Sequence, residues 1–556
     1  MISFYKDKLW SAILKYFKFF GPGIMVSVAY MDPGNYSTSV AAGSSYKFTL
    51  LFSIFVSNLF AIVLQCLCIK LGSVTGLNLA ENCRKHLPYR LNLIIYFFAE
   101  FSIIATDLAE VIGTAIALNI LFNIPLEIGI ILTILDVLII LFCYNNDGNL
   151  KEIKIFELVV SFFVFLTFIC FILLLNNIDL PDKLDIFKGF LPLNPIILEK
   201  KAIYLSLGIL GATVMPHSLY LGSAIVQPRL KDYDIKYGNY IEQTTDETSR
   251  QNDSPNNNTI TSASDNLPTY KPSLEAIKYS LNYSYTELIV SLFIIAVFVN
   301  SAILIVAGGA LYGQPDAEDA DLLTIYEMLK TYVSPMAGLL FAIAMLSSGQ
   351  SAGIICTMVG QIVSEGFINW NMNPSLRRVL TRLITIVPCL IVVLILGREG
   401  IADVLNMSQV ILSLILPFVS APLLYFTCNK DIMKVEILNK IETTTTTATT
   451  TSNRLAKKSI PSSTFGSVAL TPSTSGSNLP PLSTSTPLRD ESSEIISPAE
   501  TDPLLNNNYS QQPMRSFKDY SNGKTMTFLA FLTYGSITFL NFYLIIQFLR
   551  GEDIHF

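Results

Sequence analysis

Charge is what this sequence has least of. Only 14% of its 556 residues are Asp, Glu, Lys or Arg, against 51% hydrophobic, whereas a soluble domain carries roughly a quarter charged residues. The balance is that of a polytopic membrane protein. Histidine numbers only three, and the eight cysteines are scattered, with Cys66 and Cys68 two apart on an expected helix and therefore on different faces. That spacing contains no CxxC pair and no disulfide framework. There is no P-loop, HExxH or GxSxG pattern, so nothing suggests an enzyme, a resident cofactor or a nucleotide motor, and energy would have to come from an ion gradient. The first twenty residues are rich in Lys and aromatics and lack a small-residue cleavage site, which argues against a cleaved signal peptide. The net charge of −6 says little, because charge in such proteins matters loop by loop; no nucleic-acid partner is expected.

Long apolar runs are what the chain has instead. Runs long enough to cross a bilayer fall near 21–44, 48–69, 92–120, 125–143, 155–175, 202–226, 286–311, 335–363, 379–396, 403–428 and 525–549, eleven spans in all. The loop after the second span carries Lys70, Arg84, Lys85 and Arg90, whereas the loop around 312–334 carries Asp316, Glu318, Asp319, Asp321 and Glu327. The positive-inside rule then places residues 1–20, a short amino terminus, and the first of these loops in the cytoplasm. Membrane segments 21–226, 286–428 and 524–556 are separated by two polar, low-complexity stretches, 227–285 and 429–523, expected to be disordered cytoplasmic loops. Glycosylation-type triplets start at Asn252, Asn257 and Asn282 and should stay unmodified on that side. The second loop contains Glu500, Leu504 and Leu505 in the spacing of an acidic dileucine sorting signal. That pattern would recruit sorting adaptors and favours a vacuolar or endosomal membrane, with the plasma membrane as the alternative.

Two interruptions dominate the apolar pattern. Asp32-Pro33-Gly34-Asn35 lies in the middle of the first span, where a carboxylate is costly and usually functional. Pro lacks an N–H and Gly lacks a Cβ, so the helix should break there and free carbonyls for a guest. The sixth span is interrupted in the same way by Gly208, Gly211 and Val214-Met215-Pro216-His217. Breaks at corresponding positions of two five-helix groups are the sequence pointer to an inverted-repeat transporter with its site between them.

The residue types at the breaks suggest the cargo. Asp32 and Asn35 offer hard oxygens from one helical face. Met215 offers a thioether, which Mg²⁺, Ca²⁺ and Na⁺ do not use, so the set favours an ion such as Mn²⁺ or Fe²⁺; packing is the alternative role for a methionine in an apolar helix. His217 suits a proton acceptor or pH sensor, or else a buried hydrogen-bonding residue. In the third span Asp107 and Glu110 sit three apart on one face, a pair that repels unless one holds a proton or a cation lies near, as in a relay. Arg229, Arg377, Arg378 and Arg382 could supply that cation or simply anchor the chain at the membrane surface. Asp136 could pair structurally, Ser347 to Gly353 contains a helix-packing GxxxG spacing, and Gln409 could reach a central ion.

Taken together, Asp32-Pro33-Gly34-Asn35, Met215-Pro216-His217 and the stretch from Gly349-Gln350-Ser351 to Gly360-Gln361-Ile362-Val363-Ser364-Glu365-Gly366-Phe367 resemble the signatures of the Nramp family of proton-coupled divalent metal transporters. The resemblance covers the first ten spans. It implies an all-α membrane protein of LeuT-like fold, two inverted five-helix repeats plus one C-terminal helix. It implies that Asp32, Asn35 and Met215 bind metal, with the Ala212 carbonyl beside them and Gln409 joining in some conformations. It further implies a proton path through Asp107 and Glu110, tuned by His217 and Arg229, with Arg378 near its cytoplasmic end. Many animal members have a second histidine where this chain has Gly222, and Asn where it has Ser218; the Ser/Gly version and the Thr-rich loop are similar to fungal members.

The expected function is therefore proton-driven import of Mn²⁺ or Fe²⁺ into the cytosol by alternating access. A sodium-coupled amino-acid transporter on the same fold and a metal-sensing receptor that moves nothing are the rival readings.

Overall fold

The first span is two short helices rather than one long one. Helix α1 runs Pro22–Val28 and α2 runs Pro33–Tyr46, each with a proline in its first turn, the position where a missing N–H costs nothing. Between them Asp32 takes up extended backbone and caps α2, its side chain accepting from the Asn35 N–H. The sixth span is divided in the same manner into α8 (Lys200–Thr213) and α9 (Pro216–Ala224), with Met215 at the cap position and Pro216 again at the start. The helices between these breaks are α3 (Leu51–Thr75), α4 (Leu79–His86), α5 (Tyr89–Phe122), α6 (Leu150–Asn177) and α7 (Lys183–Gly189). After α9 come α10 (Gln227–Lys236), α11 (Leu274–Ser291), α12 (Val297–Ala310), α13 (Leu322–Met328), α14 (Pro335–Ile368), α15 (Pro374–Leu396), α16 (Ile401–Cys428) and α17 (Lys524–Leu549).

These come from a computed structural model, which describes residues 21–133, 150–178, 183–192, 199–239, 270–314, 322–368, 374–396, 401–437 and 516–550. The chain divides into two units; the helices form one, and the other, Leu438–Ser516, lies outside the described residues except for its last. Among the described residues eight helices are long and apolar enough to cross a membrane. They coincide with the expected second, third, fifth, sixth, seventh, eighth, tenth and eleventh spans. The expected first span is the α1–α2 pair, the ninth is α15, and the fourth runs beyond the described residues at 134. The protein is an integral, multi-pass, all-α membrane protein with the LeuT-like placement of its two broken helices.

The two broken helices occupy the centre. α2 packs along α12 and α8, α8 lies against α16, α9 against α3, and α14 runs alongside α5 and α6. α1 and α2 are buried along almost their whole length, whereas α6 and α17 present rows of Phe, Leu and Ile outward, as a lipid-facing helix does. Helices pack closest where a side chain is missing: a Cβ on Gly211 of α8 would run into the carbonyl of Gln409 and the amide nitrogen of Ser413 on α16.

Two loop expectations need correction. The segment 227–285 is not disordered throughout: Gln227–Lys236 is helical and the seventh span begins at Leu274, a full three turns earlier than apolarity alone suggests. Polar residues hid this extension, because Asp234 is buried and accepts from the Tyr270 hydroxyl (2.6 Å) and the Ser273 N–H (3.0 Å), closing the base of the loop. Asn282 accordingly lies in a helix, and Ser284 of its triplet is buried. Likewise, the ends of 429–523 are ordered, Lys434–Ile437 and Ser516–Asp519 pairing as a two-stranded sheet, β1 and β2.

Gly211→Ala should therefore overpack the α8–α16 contact and destabilise the protein by about 1–3 kcal/mol. Thermal unfolding of the purified protein in detergent checks this, and an unchanged midpoint would show that the helices part there freely.

Candidate functional site

Asn35 joins the two breaks. Its side-chain nitrogen donates to Asp32 Oδ1 and, at 3.0 Å, to the backbone carbonyl of Ala212, 177 residues away. Asp32 Oδ1 also accepts from the Asn35 backbone N–H at 3.1 Å. Asp32 and Asn35 are both buried. Among the described residues, the second carboxylate oxygen, Asp32 Oδ2, has no hydrogen-bond partner, and neither has Gln409 Oε1, although both are shut away from solvent. Gly34 is the meeting point of the two: a Cβ there would strike the Gln409 amide and come against Asp32 Oδ2. Buried oxygens without partners are expensive in a protein interior. Together with the Met215 thioether, fully buried at the adjoining break at the start of α9, these donor types suit a cation that takes mixed hard and soft ligands. Asp32, Asn35 and Ala212 are thus linked by hydrogen bonds, the Gln409 amide packs against Gly34 beside Asp32, and Met215 lies at the adjoining break.

The break itself is held by polar side chains that the sequence did not single out. Gln65 on α3 donates through Nε2 to the Tyr30 hydroxyl (3.1 Å), the Ser218 carbonyl (3.1 Å) and the Ser218 hydroxyl (2.9 Å), bridging the first broken helix to the sixth. Asn300 on α12 donates at 2.9 Å to the Tyr30 carbonyl, which the interruption of the helix leaves without an intrahelical partner. Gly222 on α9 faces Gln65 Oε1, so a Cβ there would push that amide out of its bridge. Glutamine and asparagine inside long apolar runs were the available signal, since polar groups in a membrane span must find partners; which partners, no spacing could tell.

Beside Ser218 on α9, His217 Nδ1 lies 3.3 Å from the hydroxyl of Thr106 on α5. Thr106 immediately precedes Asp107. A carboxylate oxygen of Asp107, one of Glu110 and the Cys356 sulfur all lie within 4.8 Å of one another, all three residues being buried. The structure therefore gathers Asp107, Glu110 and Cys356, and places His217 against Thr106, the residue before Asp107.

Arg229 is placed elsewhere, which corrects the expectation that it tunes the acids of the third span. Its guanidinium pairs with Glu157 on α6 at 3.1 Å, and a Cβ on Gly21 would fall between the two. Glu287 on α11 accepts from the Gly21 and Gly23 N–H groups at 2.6 and 3.1 Å, so carboxylates from two helices hold the start of α1. Acids meet the arginine here because an unpaired buried charge would cost several kcal/mol. Glu157 and Glu287 sit near the ends of apolar runs, where they read as ordinary boundary residues. The side chain of Arg378, and Asp136, Glu500, Leu504 and Leu505, lie outside the described residues.

Comparison with known proteins identifies the family. A family profile described as natural resistance-associated macrophage protein-like, Nramp, matches residues 23–453. The iron transporter SMF3 of Saccharomyces cerevisiae is 52% identical over 544 residues, covering 98% of each chain. The manganese transporter SMF2 of the same yeast is 50% identical, covering 97% of this chain and 90% of its own. Among solved structures, a manganese transporter of Eremococcus coleocola superposes with a TM-score of 0.64 at 27% identity, over 98% of this chain and 89% of that one. The family signatures lie on the two breaks and on α14, inside the matched span, and this chain belongs to the Nramp family.

Proposed function

We propose that this protein is a proton-coupled symporter that carries divalent transition-metal ions, Mn²⁺ or Fe²⁺, into the cytosol by alternating access. The observation that carries the reading is the buried Asp32 Oδ2, without a hydrogen-bond partner among the described residues, beside Gly34, where the Gln409 side-chain amide also packs and Asn35 joins the two broken helices. The names of the yeast and bacterial relatives, iron and manganese transporters, support the same cargo. The ion is the substrate, and no cofactor enters.

In this mechanism the metal displaces Asn35 from Asp32 or binds beside it, and takes the Ala212 carbonyl and the Met215 sulfur as further ligands. The thioether disfavours Ca²⁺ and Mg²⁺, which bind oxygen and gain little from sulfur. The Asp32 carboxylate can hold a metal ion or a proton, and a cation bound there opposes protonation, so the two are linked. In this reading a proton leaving Asp32 passes by His217 and the buried Asp107–Glu110 pair, and Arg378 is assigned to the cytoplasmic end of the path. Vacuolar or endosomal residence follows from the Glu500–Leu505 dileucine, read by sorting adaptors. The amino-acid transporter reading has no use for Met215 at the break, and the receptor reading has no use for two interrupted helices facing each other.

Reconstituted vesicles loaded with buffer and offered radiolabelled Mn²⁺ should accumulate it faster when the outside is acid, because inward proton flow then drives the cycle. Accumulation that ignores the pH gradient would remove the proton coupling. Asp32→Ala should abolish uptake, and near-normal uptake in that variant would refute the site. For Met215→Ala, Mn²⁺ uptake should fall about tenfold, the scale of one strong interaction, while Ca²⁺ becomes an effective competitor; retained discrimination against Ca²⁺ would rule out the thioether as the selective ligand.

A further inference from the structure

The last helix, α17, lies outside the stretch that the family profile matches. Most of it faces outward, and its buried residues Ala530, Thr533, Ile537, Asn541 and Leu544 recur every three or four positions, a single stripe. That stripe packs on α16 and reaches α8 and α3. Four of its five residues suit apolar packing, but Asn541 is an amide inside a membrane helix. It is spent on one partner: Ser413 Oγ donates to Asn541 Oδ1 at 2.9 Å, and Asn541 Nδ2 donates to the Ser413 carbonyl at 2.7 Å. Both residues are buried.

Ser413 is one helical turn beyond Gln409 on α16, and that turn is the one seated on Gly211. Gly211 is followed by Ala212, whose carbonyl receives Asn35. Helix α16 is thus held between a glycine contact on the side of the ion site and a two-bond amide contact on the side of the last helix. A turn held from both sides cannot rotate without breaking one of the two, and rotation is what would carry the Gln409 amide away from Asp32.

We infer that Asn541 is a positioning residue for metal affinity, a brace that sets the place of Gln409 and of the Ala212 carbonyl by anchoring Ser413. The inference rests on the proposed metal site, and the brace acts on binding rather than on the proton path, which runs through α5 and α9.

The test is Mn²⁺ uptake against concentration in reconstituted vesicles of the full chain, for the unmodified protein, Asn541→Leu, Ser413→Ala and the double variant. Interhelical hydrogen bonds in membranes are modest individually, so losing the pair should raise the apparent KM for Mn²⁺ about three- to tenfold. The maximal rate and the pH dependence should stay as they were, and the double variant should be no worse than Asn541→Leu, as two halves of one interaction require. An apparent KM within about twofold of the unmodified protein, or a loss confined to the maximal rate, would overturn the brace, the threshold being set by the same hydrogen-bond scale. If Asn541→Leu fails to insert, Ser413→Ala decides alone: a raised KM supports the brace and an unchanged one removes it. Absence of Mn²⁺ uptake by the unmodified protein would instead overturn the transport reading itself.

Discussion

One amide holds the centre of this molecule. Asn35 donates both to the carboxylate of Asp32 and to the carbonyl of Ala212, and in doing so ties together two helices that are each broken at the same depth. An unbroken helix satisfies its own backbone and has nothing to offer a guest, whereas an interrupted one must find partners for the groups it frees. The surrounding residues answer that need: Asn300 covers the Tyr30 carbonyl, and Gln65 spans from Tyr30 to Ser218. Among the described residues, the outer oxygen of Asp32 and the amide oxygen of Gln409 are left without partners, as are Gln65 Oε1, Asn300 Oδ1 and Thr213 Oγ1 around the same breaks. Of these, the Asp32 oxygen is the carboxylate one, and a buried carboxylate oxygen without a donor suits a cation.

The same logic separates three polar regions that the sequence presents in one register. Around Asp32 the groups are unpartnered acceptors with a thioether at hand, as metal binding wants. Around Glu110 they are acids, a thiol and a histidine one hydroxyl away, a place where a proton has several neighbouring positions. At the start of α1 they are two acids, an arginine and two backbone N–H groups. The first can hold an ion, the second can pass a proton, and the third fastens the first half of a broken helix to α6 and α11. Charge type alone would have grouped them together; partners distinguish them.

The limits of reading a chain of this kind show in particular residues. Asp32-Pro33-Gly34-Asn35 and Met215-Pro216-His217 were legible because Pro and Gly act on the backbone within a turn, and because a carboxylate in an apolar run is rare. Asp107 and Glu110 were legible for the second of these reasons. Arg229 was misplaced because its position at a span end says only that it is near a surface, and Glu157, its partner, is 72 residues away. The early start of the seventh span escaped notice because Asp234, Tyr270 and Ser273 satisfy one another, and polar residues that pair look like loop until the pairing is seen.

By itself, the sequence determined the solvent this protein lives in, the two places where its helices break and the chemical character of the ligands offered there. Each of these follows from local properties, apolar run length, missing N–H groups and side-chain type, which act over a few residues. Only the tertiary structure decided which freed groups meet. That Asn35 reaches Ala212, that Gln409 lies over Gly34 and that Asn541 backs Ser413 are contacts across 177, 375 and 128 positions, and they exist because helices packed in lipid place distant residues side by side by shape and hydrogen bonding, which no local pattern encodes.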